Sequence, residues 1–374
     1  MRKFNVTVYA HINTVSNGST GGIMMKEHEE LLAKGDDSYA FWGRGRTAQN
    51  DREMRFATDI DVGIDALQTR LDGRAGFHSR AATKRLVERL GEISPDVVHL
   101  HNLHGYYVNV EMLFEWLLQH ACRVEWTLHD CWAFTGHCAY FTYAKCDQWK
   151  SQCGYGTPCP QLNRYPKTFS KRSCAVNFED KRRIFSSLQP DRMTLITPSQ
   201  WLADLVGESF LAKYPVQVRP NTIDVSVFRP TLSDFRERYG IGDRFMVLGV
   251  ASPWTERKGL HEFVRLADEL DTNKFAIVLV GVSDKQKHAL SEDVIGIGRT
   301  DSREQLAAIY SAADIFFNPT AEDNYPTVNL EAEACGTSVV TYDIGGCPET
   351  VSRHDSFAVR DFEQALLIIK ELAA

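Results

Sequence analysis

Phe316-Phe317-Asn318-Pro319-Thr320-Ala321-Glu322-Asp323-Asn324-Tyr325-Pro326-Thr327-Val328-Asn329-Leu330-Glu331-Ala332-Glu333-Ala334-Cys335-Gly336, continued by Ser338-Val339-Val340-Thr341, decides the fold. An apolar strand passes through Asn, Pro, Asp and Asn into a helical stretch, which stops at a glycine before a second apolar strand. That order is a βαβ unit with acids at its active edge. Asp323 opens the loop and Glu331 stands eight positions on, about two helical turns if the helix starts near Tyr325. Both carboxylates are then expected to face one cleft.

The same alternation extends to either side. Strands are expected at Phe245-Met246-Val247-Leu248-Gly249-Val250, Phe275-Ala276-Ile277-Val278-Leu279-Val280 and Ile315-Phe316-Phe317, with helices over 260–270, 304–310 and 362–372. Strands that alternate with helices build a doubly wound parallel sheet. In the first half, strands are expected at 6–9, 97–101, 123–128 and 193–197, with helices over 23–34, 80–90, 110–120, 177–187 and 200–210. The opening Met1-Arg2-Lys3-Phe4-Asn5 reads as the start of the first strand rather than a signal peptide. Residues 44–78 are polar and poorly periodic and read as loops with at most one short helix. A chain of 374 residues exceeds the size of a usual single core. Two domains are expected, over 1–218 and 219–374, with the linker near 219–232.

A formal net charge of −7 argues against a general nucleic-acid binder. Lys167, Lys171, Arg172, Lys181, Arg182 and Arg183 still form a local basic run, either a solvated surface or a contact with anionic lipid. No run of about 18 apolar residues occurs. The expectation is a cytoplasmic protein, with peripheral contact at the inner face of the cell membrane.

Residues 131–165 interrupt the alternation as a Cys-rich insertion without regular structure. Loops of this length are functional or need tying down. Cys138, Cys146, Cys153 and Cys159 match a structural zinc site in residue type but not in knuckle spacing, so zinc, free thiols and disulfides all stay open. His99, His101 and His104 alternate, yet no acid or cysteine follows closely. They are read as polar lining of the acceptor cleft rather than metal ligands.

Four stretches together carry a resemblance: Asp323 to Glu331, Glu256-Arg257-Lys258-Gly259, Gly345-Gly346-Cys347-Pro348-Glu349, and Pro220-Asn221-Thr222-Ile223-Asp224 with Phe228. The chain resembles the retaining glycosyltransferases of the GT-B fold, glycosyltransferase family 4, in particular the bacterial colanic-acid and exopolysaccharide members. The resemblance is strongest over 195–352. It implies two Rossmann-like α/β domains facing a central cleft, the first on the acceptor side and the second binding a nucleotide-diphosphate sugar. It implies a glycan or lipid-linked glycan acceptor, and no cofactor or metal for catalysis.

By the same resemblance, Gly21 and Gly22 lie beside the donor diphosphate and His129 faces the donor sugar. Lys258 contacts the diphosphate. Asp323 stands where the motif usually has glutamate and faces the sugar hydroxyls. The amides around Asn324, Thr327 and Val328 cradle sugar and phosphate, although Pro326 has no N–H to donate. The residues independently allow these roles. A cation before a helix N-terminus clamps phosphate, and the Glu331 carboxylate can accept from both ribose hydroxyls. Glu349 is read as an auxiliary site residue.

The arginine usual about five residues before the lysine is missing, since Ala251-Ser252-Pro253-Trp254 occupies that stretch. Either Arg257 supplies the second cation or diphosphate binding is weaker. With Pro326, this departure motivates the alternative of a catalytically weak GT-B partner subunit in a polysaccharide assembly complex. A nicotinamide dehydrogenase is disfavoured, because the first turn lacks G-x-G-x-x-G.

Overall fold

The structure is a computed structural model that describes residues 6–48 and 50–374. The expected start of the first strand at Met1–Asn5 lies outside the described residues. Contacts divide the chain into two units, Met1–Pro220 and Asn221–Ala374.

In the first unit, β1 (Val8–Val15), β2 (Asp37–Arg44), β3 (Glu53–Arg55), β4 (Val97–Leu100), β5 (Arg123–Thr127), β6 (Met193–Thr197) and β7 (Val216–Val218) form one sheet. Their order is β3-β2-β1-β4-β5-β6-β7, every pairing parallel. In the second, β8 (Phe245–Val250), β9 (Phe275–Val280), β10 (Val294–Ile297), β11 (Ile315–Asn318), β12 (Ser338–Tyr342) and β13 (Phe357–Val359) lie in the order β10-β9-β8-β11-β12-β13. These pairings are parallel too. Both units are doubly wound Rossmann-like sheets. Strand order reverses between β1 and β4 and between β8 and β11, and such sheets place ligands beyond the carboxyl ends of their strands at these points.

Strands buried on both faces explain why the second unit is so legible. Every residue of β9 is buried, as parallel strands under helices require. Val247, Ile277, Leu279, Ile315, Phe317 and Val340 pack on one face. Met246, Leu248, Ala276, Val278, Phe316 and Val339 pack on the other, the period of two expected of strands.

Residues 44–78 depart from expectation. They contain β3 and a 14-residue helix, Asp59–Asp72, opened by a capping box between Thr58 and Asp61. Asp59 and Asp61 therefore stand in a helix start, not an irregular segment. The helix is inverted in polarity: Asp65 and Thr69 are buried while Ile60, Ile64, Leu67 and Leu71 are exposed. Asp65 accepts from the Thr69 hydroxyl at 3.0 Å and from Ser79. A reading that assigns apolar residues to the core misses a helix of this kind.

The expected basic run is also thinner than its sequence. Lys181 is buried, donating to the carbonyls of Trp132 and Thr135 at 2.8 and 3.1 Å, with its ammonium 3.4 Å from the centre of the Trp132 ring. Burial pushes this ammonium down to about 7. It belongs to the helix Ser173–Phe185, four residues longer at its start than expected, and it ties down the Cys-rich insertion.

Candidate active site

In the second unit, the loops after β8 and β11 meet at the switch point. Gly259 makes the approach possible: its φ is +77°, and a Cβ there would lie 2.2 Å from the Pro319 carbonyl oxygen. The Arg257 carbonyl accepts from the Ala321 N–H at 2.7 Å and from the Thr320 hydroxyl at 3.3 Å. So seated, Lys258 donates to the Asp323 carboxylate, and the Arg257 guanidinium lies 3.9 Å from the same oxygen while donating to the Glu322 carbonyl. Burial alone would raise the Asp323 pKa, but Lys258, Arg257 and the Asn324 N–H outweigh it and hold the group below its ordinary value. Asp323 is thus an anion between two cations.

Gly345 and Gly346 hold this loop from below. A Cβ on Gly345 would sit 2.2 Å from the Asp323 carbonyl oxygen, and the Gly346 N–H donates to that oxygen at 3.0 Å. Asn221 reaches the Tyr325 carbonyl at 3.3 Å. Glu349 lies in the short turn Pro348–Thr350 that follows, and its charge acts on the Tyr325 hydroxyl.

The helix after the loop runs Thr327–Ala334, starting later than Tyr325, with Pro326 at its N-cap and no side-chain cap. Asp323 is therefore placed by the loop and not by helical periodicity. Thr327 and Val328 lead the helix, where backbone N–H groups have no intrahelical partner. Glu331 lies one turn in and meets the Tyr310 hydroxyl at 3.3 Å. Burial pushes its carboxyl up to about 7, against the opposing pull of Tyr310, Arg303 and Thr327. A buried ladder that sequence reading missed fixes this helix to the sheet: Asn318 donates to Asn329, and Asn329 to Thr350, each at 2.8 Å. An asparagine in the interior of a short helix is its signal. The stretch where an arginine is usual holds Trp254, a core residue whose indole donates to the Val280 carbonyl at 2.9 Å.

In the first unit, Gly21 and Gly22 do not form a turn before a helix. The helix is Gly18–Lys34, so both glycines lie inside it, and the leading amides belong to Gly18, Ser19, Thr20 and Gly21. Gly21 is required by packing, since a Cβ would lie 2.6 Å from the Ser16 backbone. His129 follows β5 and meets His101 through Nε2 and Nδ1 at 3.1 Å, while Asp130 pairs instead with His104 at 2.8 Å. Burial pushes His129 down to about 4, although Asp130 opposes it. His99 and His101 do not line a cleft: they are 3% and 1% exposed. They turn toward Glu27, an acid 72 positions before His99 in the chain.

In the Cys-rich insertion, the thiols gather with one residue the sequence reading left out. Cys159 contacts Cys138 and Cys174, and Cys174 contacts Cys153. Contact with Cys138 and Cys174 holds the Cys159 thiol below its ordinary value, and contact with Cys153 and Cys159 raises Cys174. All nine cysteines are free, so no disulfide ties this loop.

Residues 233–370 match the family model described as glycosyl transferases group 1. Over 372 residues the chain is 24% identical to a colanic acid biosynthesis glycosyl transferase, WcaC, of Escherichia coli (strain K12), covering 95% of this chain and 87% of that protein. Sucrose-phosphate synthase from Thermosynechococcus elongatus superposes with a TM-score of 0.69 at 16% identity, covering 98% of this chain and 89% of the other. Anabaena HepE in complex with UDP and glucose superposes at 0.62 with 14% identity, again over 98% and 89%. The fold is that of the GT-B glycosyltransferases.

Proposed function

We propose that this chain, a glycosyltransferase by the group 1 domain of its residues 233–370, moves a sugar with retention from a nucleotide-diphosphate donor to a glycan or lipid-linked glycan of a surface polysaccharide. The observation that carries the reading is the Lys258, Arg257 and Asp323 cluster at the β8/β11 switch point. A diphosphate that leaves develops charge, and preset cations beside a helix N-terminus stabilise it. Lys258 supplies one cation and Arg257 the second, in place of the missing arginine. The Asn324 loop and the Thr327 and Val328 amides cradle the phosphates, Glu331 takes the ribose hydroxyls, and Glu349 supports the loop.

Asp323 then exchanges its lysine contact for sugar hydroxyls. The bond from the anomeric carbon to the diphosphate oxygen breaks, the acceptor oxygen bonds the same carbon from the same face, and its proton passes to the leaving diphosphate. The relatives in colanic acid synthesis and in complex with UDP support this reading. A panel of nucleotide sugars tests it: a true donor at 100 times its dissociation constant stabilises the folded chain by about 2.7 kcal/mol. If no nucleotide sugar raises the melting temperature, the donor site is wrongly assigned.

The inverted helix Asp59–Asp72 favours an acceptor held at a membrane surface. Ile60, Ile64, Leu67 and Leu71 form its exposed stripe, and Phe169, 71% exposed, sits beside it with its N–H on the Arg70 carbonyl at 2.9 Å. Arg70, Lys167, Lys171 and Arg172 are exposed around it. Apolar side chains ringed by cations match an anionic lipid surface. No described helix is long and apolar enough to span a membrane. Vesicles containing phosphatidylglycerol should sediment the chain, and Leu67→Ser with Leu71→Ser should weaken this at least tenfold, since each leucine buried is worth about 1.5–3 kcal/mol. Equal binding by parent and variant would remove the membrane from the reading.

For the insertion, the reading is a structural zinc held by Cys138, Cys153, Cys159 and either Cys146 or Cys174. Cys146 is close enough for its charge to act on Cys138, and Cys174 touches two of the others. Such an ion would tie a loop that has only two short 3-10 turns of its own.

A further inference from the structure

A second cluster, away from the thiols, gathers residues that lie far apart in the chain. His11 of β1 and His99 of β4 are register partners across the sheet. His101, two residues beyond His99, returns to the same face. Glu27 projects onto them from the helix Gly18–Lys34. Its Oε2 lies 3.2 Å from His99 Nδ1, 3.7 Å from His101 Nε2 and 4.0 Å from His11 Nδ1. One donor atom from each of the four falls within 4.8 Å of all the others.

The three histidines are buried and Glu27 is half-buried, and several of their polar atoms are unsatisfied. Both nitrogens of His11, Nε2 of His101 and Oε2 of Glu27 have no hydrogen-bond partner, and His11 is 1% exposed. Buried polar atoms in a folded protein are almost always paired, and an orphan set of this size calls for an unseen partner. A shared proton serves one contact at a time; an ion serves four donors at once.

We propose that His11, Glu27, His99 and His101 bind a divalent transition metal of the zinc class. Tetrahedral donors about 2.0–2.1 Å from zinc stand about 3.4 Å apart, close to the separations already present. The surrounding groups are arranged as outer partners. The Nε2 of His99 meets the Thr127 hydroxyl at 2.8 Å, leaving Nδ1 for the metal. Glu27 Oε1 lies 3.9 Å from Arg219, which itself lies 3.9 Å from Glu125, so Oε2 is the oxygen aimed inward. The ion has a consequence for His129. With its Nε2 on the metal, His101 must carry its proton on Nδ1, and it donates to His129 Nε2. His129 is then held in the Nδ1–H tautomer. The metal positions; it takes no part in bond breaking.

The test uses the full chain, stripped with chelator and reloaded with Zn²⁺ or Co²⁺, with metal per chain counted by elemental analysis. His11→Gln and Glu27→Gln should each lose one equivalent relative to the parent, with far-UV circular dichroism unchanged. The Co²⁺ form distinguishes this site from the thiols. The absorption lost in His11→Gln should be ligand-field bands alone, whereas Cys159→Ser should remove any thiolate-to-cobalt charge transfer and keep those bands. Thr127→Val should weaken metal binding about 10–100-fold. A reloaded parent that holds no more metal than His11→Gln and Glu27→Gln overturns the proposal, and so does loss of thiolate bands alone. Should His11→Gln unfold, the Glu27→Gln count and the parent's cobalt spectrum decide by themselves.

Discussion

Lys258→Ala is expected to lower turnover by about 10²-fold or more, with the fold retained. The ammonium sits on the Asp323 carboxylate, with Arg257 3.9 Å from the same oxygen. Its removal has two effects. The leaving diphosphate loses a preset cation as its charge develops, and Asp323 is left with the Asn324 N–H and the more distant guanidinium. The second effect raises the Asp323 pKa, because burial is then opposed only by Arg257 and the Asn324 N–H. Lys258→Arg separates the two, since it keeps the charge but replaces a compact ammonium with a planar fork. Partial recovery in the arginine variant with kcat, rather than KM, carrying the loss is the signature of a cation that acts on the leaving group. Turnover of the alanine variant within a few-fold of the parent would place the clamp elsewhere.

Glu331→Gln should weaken binding of the nucleotide sugar by about 1.5–3 kcal/mol, the worth of hydrogen bonds to a charged group. It should also change how binding depends on pH. Burial pushes the Glu331 carboxyl up to about 7 in the free protein, whereas a ribose diol that donates twice favours the carboxylate. Ligand therefore binds the ionised form, and affinity is full above about pH 7 and is lost as pH falls through it. Between pH 8 and pH 6 the parent should bind about tenfold more weakly, while the glutamine variant should show no such slope. Calorimetry with the nucleotide sugar at both pH values checks both statements. An unchanged affinity in Glu331→Gln removes the ribose role, and a parent that binds equally at both values removes the titration.

Much of this protein could be read before any coordinates. Apolar runs such as 245–250 and 315–318 are buried strands, and the residues in the loops that follow them, Lys258 after the first and Asp323 after the second, stand at the sheet's carboxyl edge. Spacing of this kind is local, and local periodicity survives in the sequence. The same reasoning fails where a helix turns its apolar side outward, as Ile60, Ile64, Leu67 and Leu71 do over the buried Asp65. It also put a helix start at Ile23 that lies at Gly18, because three glycines within five residues look like a break until packing against Ser16 makes one of them necessary. What only the tertiary structure decided is which distant polar groups meet. Parallel register sets His11 beside His99, a helix brings Glu27 to both, a later helix brings Cys174 to the thiols of the insertion, and Asn318 finds Asn329 and Thr350 in the core. A buried polar atom is stabilised by its partner and not by its neighbours in the chain, so sequence marks such residues as unusual and leaves the partner to the fold.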